Sequence, residues 1–171
     1  MERCKLHWLI TMDPETSTSM KTLTLVAIKR GLLLYWSLWF TIVFAMSVFA
    51  GLQGLGAIDK GWEIAPGRFA LISSTTAIYG VPAGAHGVWM LGVIVWEGIA
   101  VGAFWRTFYK FHGLKNAGGR ALAVAFLLAL SLYATFLLAD KFPVNHLYEA
   151  THLKIFVAQV ASLLAIYLLP E

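Results

Sequence analysis

Between Gly84 and Phe108 the chain reads GAHGVWMLGVIVWEGIAVGAFWRTF, an apolar run with one carboxylic acid, Glu97, near its middle. Rising 1.5 Å per residue as a helix, about 20 such residues cross the hydrocarbon of a bilayer. An acid at that depth is costly, so intramembrane ionisable groups face a bundle interior or a water-filled path. The rest of the chain must therefore supply helices that shield this acid and polar groups that meet it.

Three further runs have the same character, and the spans are expected at about 31–52, 84–106, 121–139 and 147–169. Only 13% of the 171 residues are charged and 59% are hydrophobic, against roughly 25% charged in soluble domains. Four spans this apolar could not all be covered in water, which excludes a soluble enzyme. The basic residues flank the spans and form no stripe interleaved with exposed aromatics, so nucleic acid is not an expected partner. The single cysteine, Cys4, excludes an intramolecular disulfide framework.

These patterns predict an all-α fold, a four-helix transmembrane bundle running up-down-up-down, with a short interfacial segment between the first and second spans. Residues 1–20 read as a flexible tail and 21–171 as one transmembrane domain. Met12 and Met20 are alternative starts, and the run from Met20 would look complete, so Met1 is expected to lie upstream of the native start. Between the first two spans, Arg68 to Tyr79 is apolar but too short to cross, which suggests an amphipathic helix or lid.

Charge placement predicts orientation. Nine of the 13 Lys and Arg flank one side: Arg3, Lys5, Lys21, Lys29, Arg30, Arg106, Lys110, Lys115 and Arg120. Lys60, Arg68, Lys141 and Lys154 fall on the other. Basic flanks stay cytoplasmic, so both termini are expected inside and the connections at 53–83 and 140–150 outside.

Each predicted span places a polar group near mid-depth: Thr41, Glu97, Ser131 and Gln159 in turn. Unpaired polar groups in hydrocarbon cost several kcal/mol in order of magnitude, so these four are expected to converge. A second constellation lies at the outer mouth, where His86 opens the second span and His146, Glu149 and His152 open the fourth. Such side chains suit a transition metal or, as imidazole pairs, a haem. Their spacing departs from the i, i+4 histidines of a zinc helix, and interfacial histidines bonded to headgroups and water are the plainer reading. His86 and Glu97 share a face, about 16 Å apart along the axis. Gly98 and Gly102 form a GxxxG pair with Gly92 further back, a spacing that permits close helix approach.

The stretches RGLLLYWSLWFTIVFAMSVFAGL (Arg30 to Leu52) and GVIVWEGIAVGAFWR (Gly92 to Arg106) resemble a group of small bacterial four-helix integral membrane proteins with no assigned biochemical role. The resemblance implies a bacterial inner-membrane origin and a four-helix bundle, with Trp96–Glu97–Gly98 as a characteristic feature. It carries no catalytic residue.

Three functional readings stand on these residues. The first is a non-enzymatic accessory or scaffold subunit, in contact with lipid and with other membrane subunits or further copies of itself. It rests on small size, close-packing glycines and the lack of a strong catalytic signature. The second is a redox, metal or haem protein using the outer His/Glu set; the third is a small proton-coupled carrier using Glu97.

Overall fold

A hydrocarbon environment offers no partner to backbone amides, so a spanning segment must satisfy them within itself, and helices do so. A computed structural model describes residues 14–59, 68–111, 117–141 and 146–170, apart from the side chains of 14–23, 68, 75, 83, 117–118 and 146–148. Four long helices, α1 (Pro14–Gly54), α3 (His86–Lys110), α4 (Ala117–Lys141) and α5 (His146–Leu168), are each long and apolar enough to cross a membrane. The short α2 (Arg68–Ile78) and a 3-10 turn (Ala83–Ala85) lie between α1 and α3. Residues 1–13, on which most of the expected tail falls, lie outside the described residues.

The first helix is longer than the apolar run alone indicates. It begins at Pro14, within the polar stretch read as tail, because proline is tolerated in a first turn where its missing amide is not needed. At the other end it runs through Gly51 and Gly54 and stops at Gly56. There, φ is +73°, and the amides of Gly56 and Ala57 bond to Gln53 O and Leu52 O at 3.0 and 2.9 Å. This is the double bond pattern of a left-handed helix stop, a conformation that glycine adopts without steric cost. Gly80, at φ +69°, ends α2 the same way, through bonds from Gly80 and Val81 to Ala77 O and Thr76 O.

The bundle core follows a seven-residue repeat on every long helix. On α1 the repeat runs through the buried Lys29, Leu33, Trp36, Phe40, Val43, Ser47 and Ala50, with Ser37 and Gly51 buried beside it; on α3 the buried positions are Met90, Glu97, Ala100, Phe104 and Thr107, followed by Phe111 just beyond the helix. Leu122, Phe126, Ala129, Tyr133 and Asp140 continue the pattern on α4, as do Gln159 and Ile166 on α5. A 3.5-residue period keeps one seam facing its neighbours and is the geometry of left-handed four-helix bundles. The helices are arranged in a ring in the order α1, α3, α4, α5. The α1–α3 pairing is the most extensive and α5–α1 the least.

Small residues admit the close α1–α3 approach. Gly51 meets Ile94 and Met90 of α3, and Gly98 of α3 meets Phe44 of α1, so the two backbones approach closely. Trp36 and Trp39 pack into the core from α1, the Trp39 indole donating to the Tyr133 hydroxyl of α4 at 3.5 Å, while α1 meets α5 along only a short stretch. At that seam the buried Lys29 donates from Nζ to Leu169 O at 2.8 Å, so an ammonium meets the carbonyl end of α5, where a cation is favoured. The short α2 packs over the far end of α1 and α3, with Phe69 and Ile72 against Ala50 and Met90, and Tyr79 donates to Ala139 O of α4 at 3.3 Å. The outward faces carry Ile42, Val95, Leu127 and Val157, an apolar girdle of the kind lipid covers.

Candidate functional site

Glu97 lies at the middle of α3 and is 1% exposed. Its two neighbours account for its direction. The Trp96 indole donates to Leu128 O of α4 at 3.1 Å, while a Cβ on Gly98 would stand 3.1 Å from the Phe44 ring of α1. Trp96 therefore ties α3 to one neighbour and Gly98 admits the other, leaving the residue between them turned into the core.

Ring contacts fix the register around it. Phe40 stacks on Phe104 with centroids 5.2 Å apart, and Phe104 meets Phe126 edge-on at 5.2 Å. Ile166 is fully buried in the same cluster. One heptad from this apolar layer, away from Lys29, the four helices present Ser47, Glu97, Tyr133 and Gln159. Each of these is at most 4% exposed. A further heptad along lie Asp140 and His152, bonded Oδ2 to Nδ1 at 2.6 Å. Tyr133 bridges the levels, its ring 6.3 Å from Phe40 and 6.1 Å from His152. At the rim, Lys141 pairs with Glu149.

The core is therefore two unlike halves. Toward Lys29 it is filled by Leu33, Trp36, Phe40, Phe104, Phe126 and their neighbours, with Ser37 and Thr107 among them; away from Lys29 it holds Glu97, Tyr133, Gln159 and Asp140, with half-buried His152, beside the apolar Ala50, Met90 and Leu132. Glu97, Tyr133, Asp140 and His152, which can give or take a proton, thus lie between mid-bundle and one rim, and a layer of rings lies on the far side. Gln159 is wholly buried, and neither its amide nitrogen nor its amide oxygen has a hydrogen-bond partner. Its cost is of the order of 1–3 kcal/mol for each such group, so this amide calls for an explanation.

The sequence-derived residues divide accordingly. Glu97 and Gln159 occupy the buried layer. Thr41 and Ser131 are half-buried and bond to carbonyls of their own helices, Thr41 to Ser37 O at 2.7 Å and Ser131 to Leu128 O at 3.0 Å; Thr41 also accepts from the Trp105 indole at 3.0 Å. Ser47 and Tyr133 stand in the positions where Thr41 and Ser131 were expected. Depth along each span selected the latter pair, whereas the heptad carried on from Phe40 and Phe126 selects Ser47 and Tyr133.

The outer set is not gathered at one point. His152 turns inward to Asp140 and packs on Phe136, while Glu149 turns to Lys141. His86 is half-buried, with Nε2 enclosed and without a partner, and the side chain of His146 lies outside the described residues. Among the described residues, no three His, Cys, Asp or Glu are placed to hold a metal ion. Of the packing glycines, Gly98 meets a neighbouring helix, whereas Gly92 and Gly102 face open space. Comparison with protein-family models, curated proteins and solved structures finds no match to this chain.

Proposed function

We propose that this multi-pass protein lies in the bacterial inner membrane with both termini in the cytoplasm, and that it takes up and releases a proton at Glu97 from the outer face. The carrying observation is the asymmetric core: an acid buried at mid-depth, titratable groups leading from it to one rim, and aromatic rings sealing the other side. Proton carriers in membranes use such interior acids, because a side chain of this kind is costly to keep there without a role. In this reading the Asp140–His152 pair relays protons between the rim and the Glu97 level, and the Phe40–Phe104–Phe126 layer prevents leakage to the cytoplasm. The predominance of basic residues at the Lys29 end supports the orientation, and the resemblance of the first two spans supports the bacterial membrane.

The test is infrared spectroscopy of the reconstituted protein during acidification. A carboxyl band should appear, shift in D2O and be missing from Glu97→Gln. Acidification spectra identical for the native protein and this variant would remove the reading.

A second reading, assembly with another membrane helix or a further copy, has one observation behind it. On α3, Val88, Gly92, Val95, Ile99 and Gly102 repeat at heptad spacing on the outward face, with nothing within 4 Å of either glycine. Cross-linking in native membranes, compared with Gly92→Leu, tests it; unchanged products would remove it.

A further inference from the structure

At the Lys29 end, the outer seam between α1 and α3 carries a fixed group of rings. The Trp105 indole donates to Thr41 Oγ1 of α1 at 3.0 Å, which holds that ring across the two helices. Trp105 stacks on Tyr109 at 5.6 Å and meets Phe108 edge-on at 5.8 Å. Arg30 of α1 reaches the same group, its guanidinium carbon 5.5 Å from the centroid of the Phe108 ring. Attraction between a cation and a ring face uses the flat side of the guanidinium. Its N–H donors lie in the plane, in the fork that suits a phosphate. Among the described residues, no hydrogen bond or ion pair engages those donors.

The charge around this seam has one sign. Arg106 stands about 60° around α3 from Tyr109, and Lys110 about 40° further on, at 3.6 residues per turn; both are exposed. Among the residues whose side chains are described, no Asp or Glu lies at this end: Glu97 is at mid-bundle, while Asp59, Asp140 and Glu149 lie beyond it. Toward mid-membrane the surface turns apolar, with Leu38 of α1 and Ile99 of α3 exposed. Cations at the rim, rings next and aliphatic surface beyond follow the order of groups in a phospholipid. A belt of scattered basic and aromatic residues orients a span without choosing a lipid. Here a cation from one helix is instead seated on a ring from its neighbour.

We infer that the α1–α3 seam at the Lys29 end binds a phospholipid of net negative charge, with its phosphate on the Arg30 fork and its acyl chains on the apolar surface beyond the rings. Charge selects the class: a zwitterionic headgroup brings an ammonium among Arg30, Arg106 and Lys110, whereas an anionic one brings only the charge these residues attract. The inference does not depend on the reading of Glu97.

The experiment titrates delipidated full-length protein in detergent with short-chain phosphatidylglycerol or phosphatidylcholine and counts bound lipid by native mass spectrometry. Phosphatidylglycerol should bind at the lower concentration. Arg30→Gln should weaken it by about tenfold or more, the scale of a hydrogen bond to a charged group, with helical circular dichroism in detergent alone unchanged. Arg30→Lys keeps the charge without the planar fork and should recover only part of the loss; it also decides the matter if the glutamine variant loses helix. Arg120→Gln is the control, an exposed cation at the same end but on α4, and should bind as the native protein does. Equal weakening in Arg30→Gln and Arg120→Gln would mean surface attraction alone and would overturn the inference, as would equal titration by the two lipids. Full recovery in Arg30→Lys would reduce the seam to a point charge and overturn the assigned geometry. Displacement of phosphatidylglycerol by glycerol phosphate at equal concentration would mark a soluble-phosphate site and overturn the lipid assignment.

Discussion

Replacing Gly98 and Gly102 separately by valine should give different outcomes, although they form one GxxxG pair. A Cβ on Gly98 would stand 3.1 Å from Phe44 Cε2 and 3.7 Å from two further atoms of the same ring. The first carbon already needs the ring to yield by a few tenths of an ångström, and the two valine methyls go beyond it. Overpacking of this kind costs about 1–3 kcal/mol. Replacing a helical glycine recovers roughly 0.5–1 kcal/mol of backbone entropy, less for a β-branched residue. Steric cost therefore dominates at 98. At 102 nothing lies within 4 Å, so the change should stay within about 0.5 kcal/mol. The assay is reversible unfolding of purified protein in mixed micelles of rising sodium dodecyl sulfate fraction, followed by helical circular dichroism. Equal losses at the two sites, or a larger loss at Gly102, would refute the α1–α3 contact and with it the direction assigned to Glu97.

Two further substitutions probe the ends of the core. Lys29→Met removes the donor to Leu169 O but also relieves an ammonium of burial, so global stability should move by less than about 1 kcal/mol, while hydrogen exchange in the last turn of α5 accelerates; unchanged exchange there would contradict the cap. His152→Ala leaves the Asp140 carboxylate without its 2.6 Å partner and should cost about 1.5–3 kcal/mol, the range for a hydrogen bond to a charged group. Adding Asp140→Asn should restore most of that loss in a double-mutant cycle; additive losses would contradict the pairing.

Architecture was legible because lipid leaves so few alternatives: four apolar runs of sufficient length predict four helices, and the helices observed coincide closely with three of them. The first run underestimates its helix, because polar residues from Pro14 onward continue it outside the apolar zone. Glu97 and Gln159 were legible as buried polar residues, since an acid and a carboxamide within apolar runs need shielding from lipid, whereas nearby Ser162 bonds to a carbonyl of its own helix. Ser47 and Tyr133 were less so, as their position depends on which face of the helix turns inward, and only packing against Phe40, Phe104 and Phe126 establishes that. The Asp140–His152 pair joins two helices across a turn, and a sequence read one helix at a time does not reveal it. His152 and Glu149, grouped by helical spacing, both reach α4 but meet different partners, His152 bonding to Asp140 and Glu149 pairing with Lys141.

The central claim is that an acid at mid-membrane communicates with one side only. Its most direct measurement is the Glu97 infrared band in oriented vesicles with D2O admitted from a single face. The band should shift promptly when D2O is on the side of the Asp140–His152 pair and lag when it is on the Lys29 side. Equally fast shifts from both faces, or a faster shift from the Lys29 side, would contradict it.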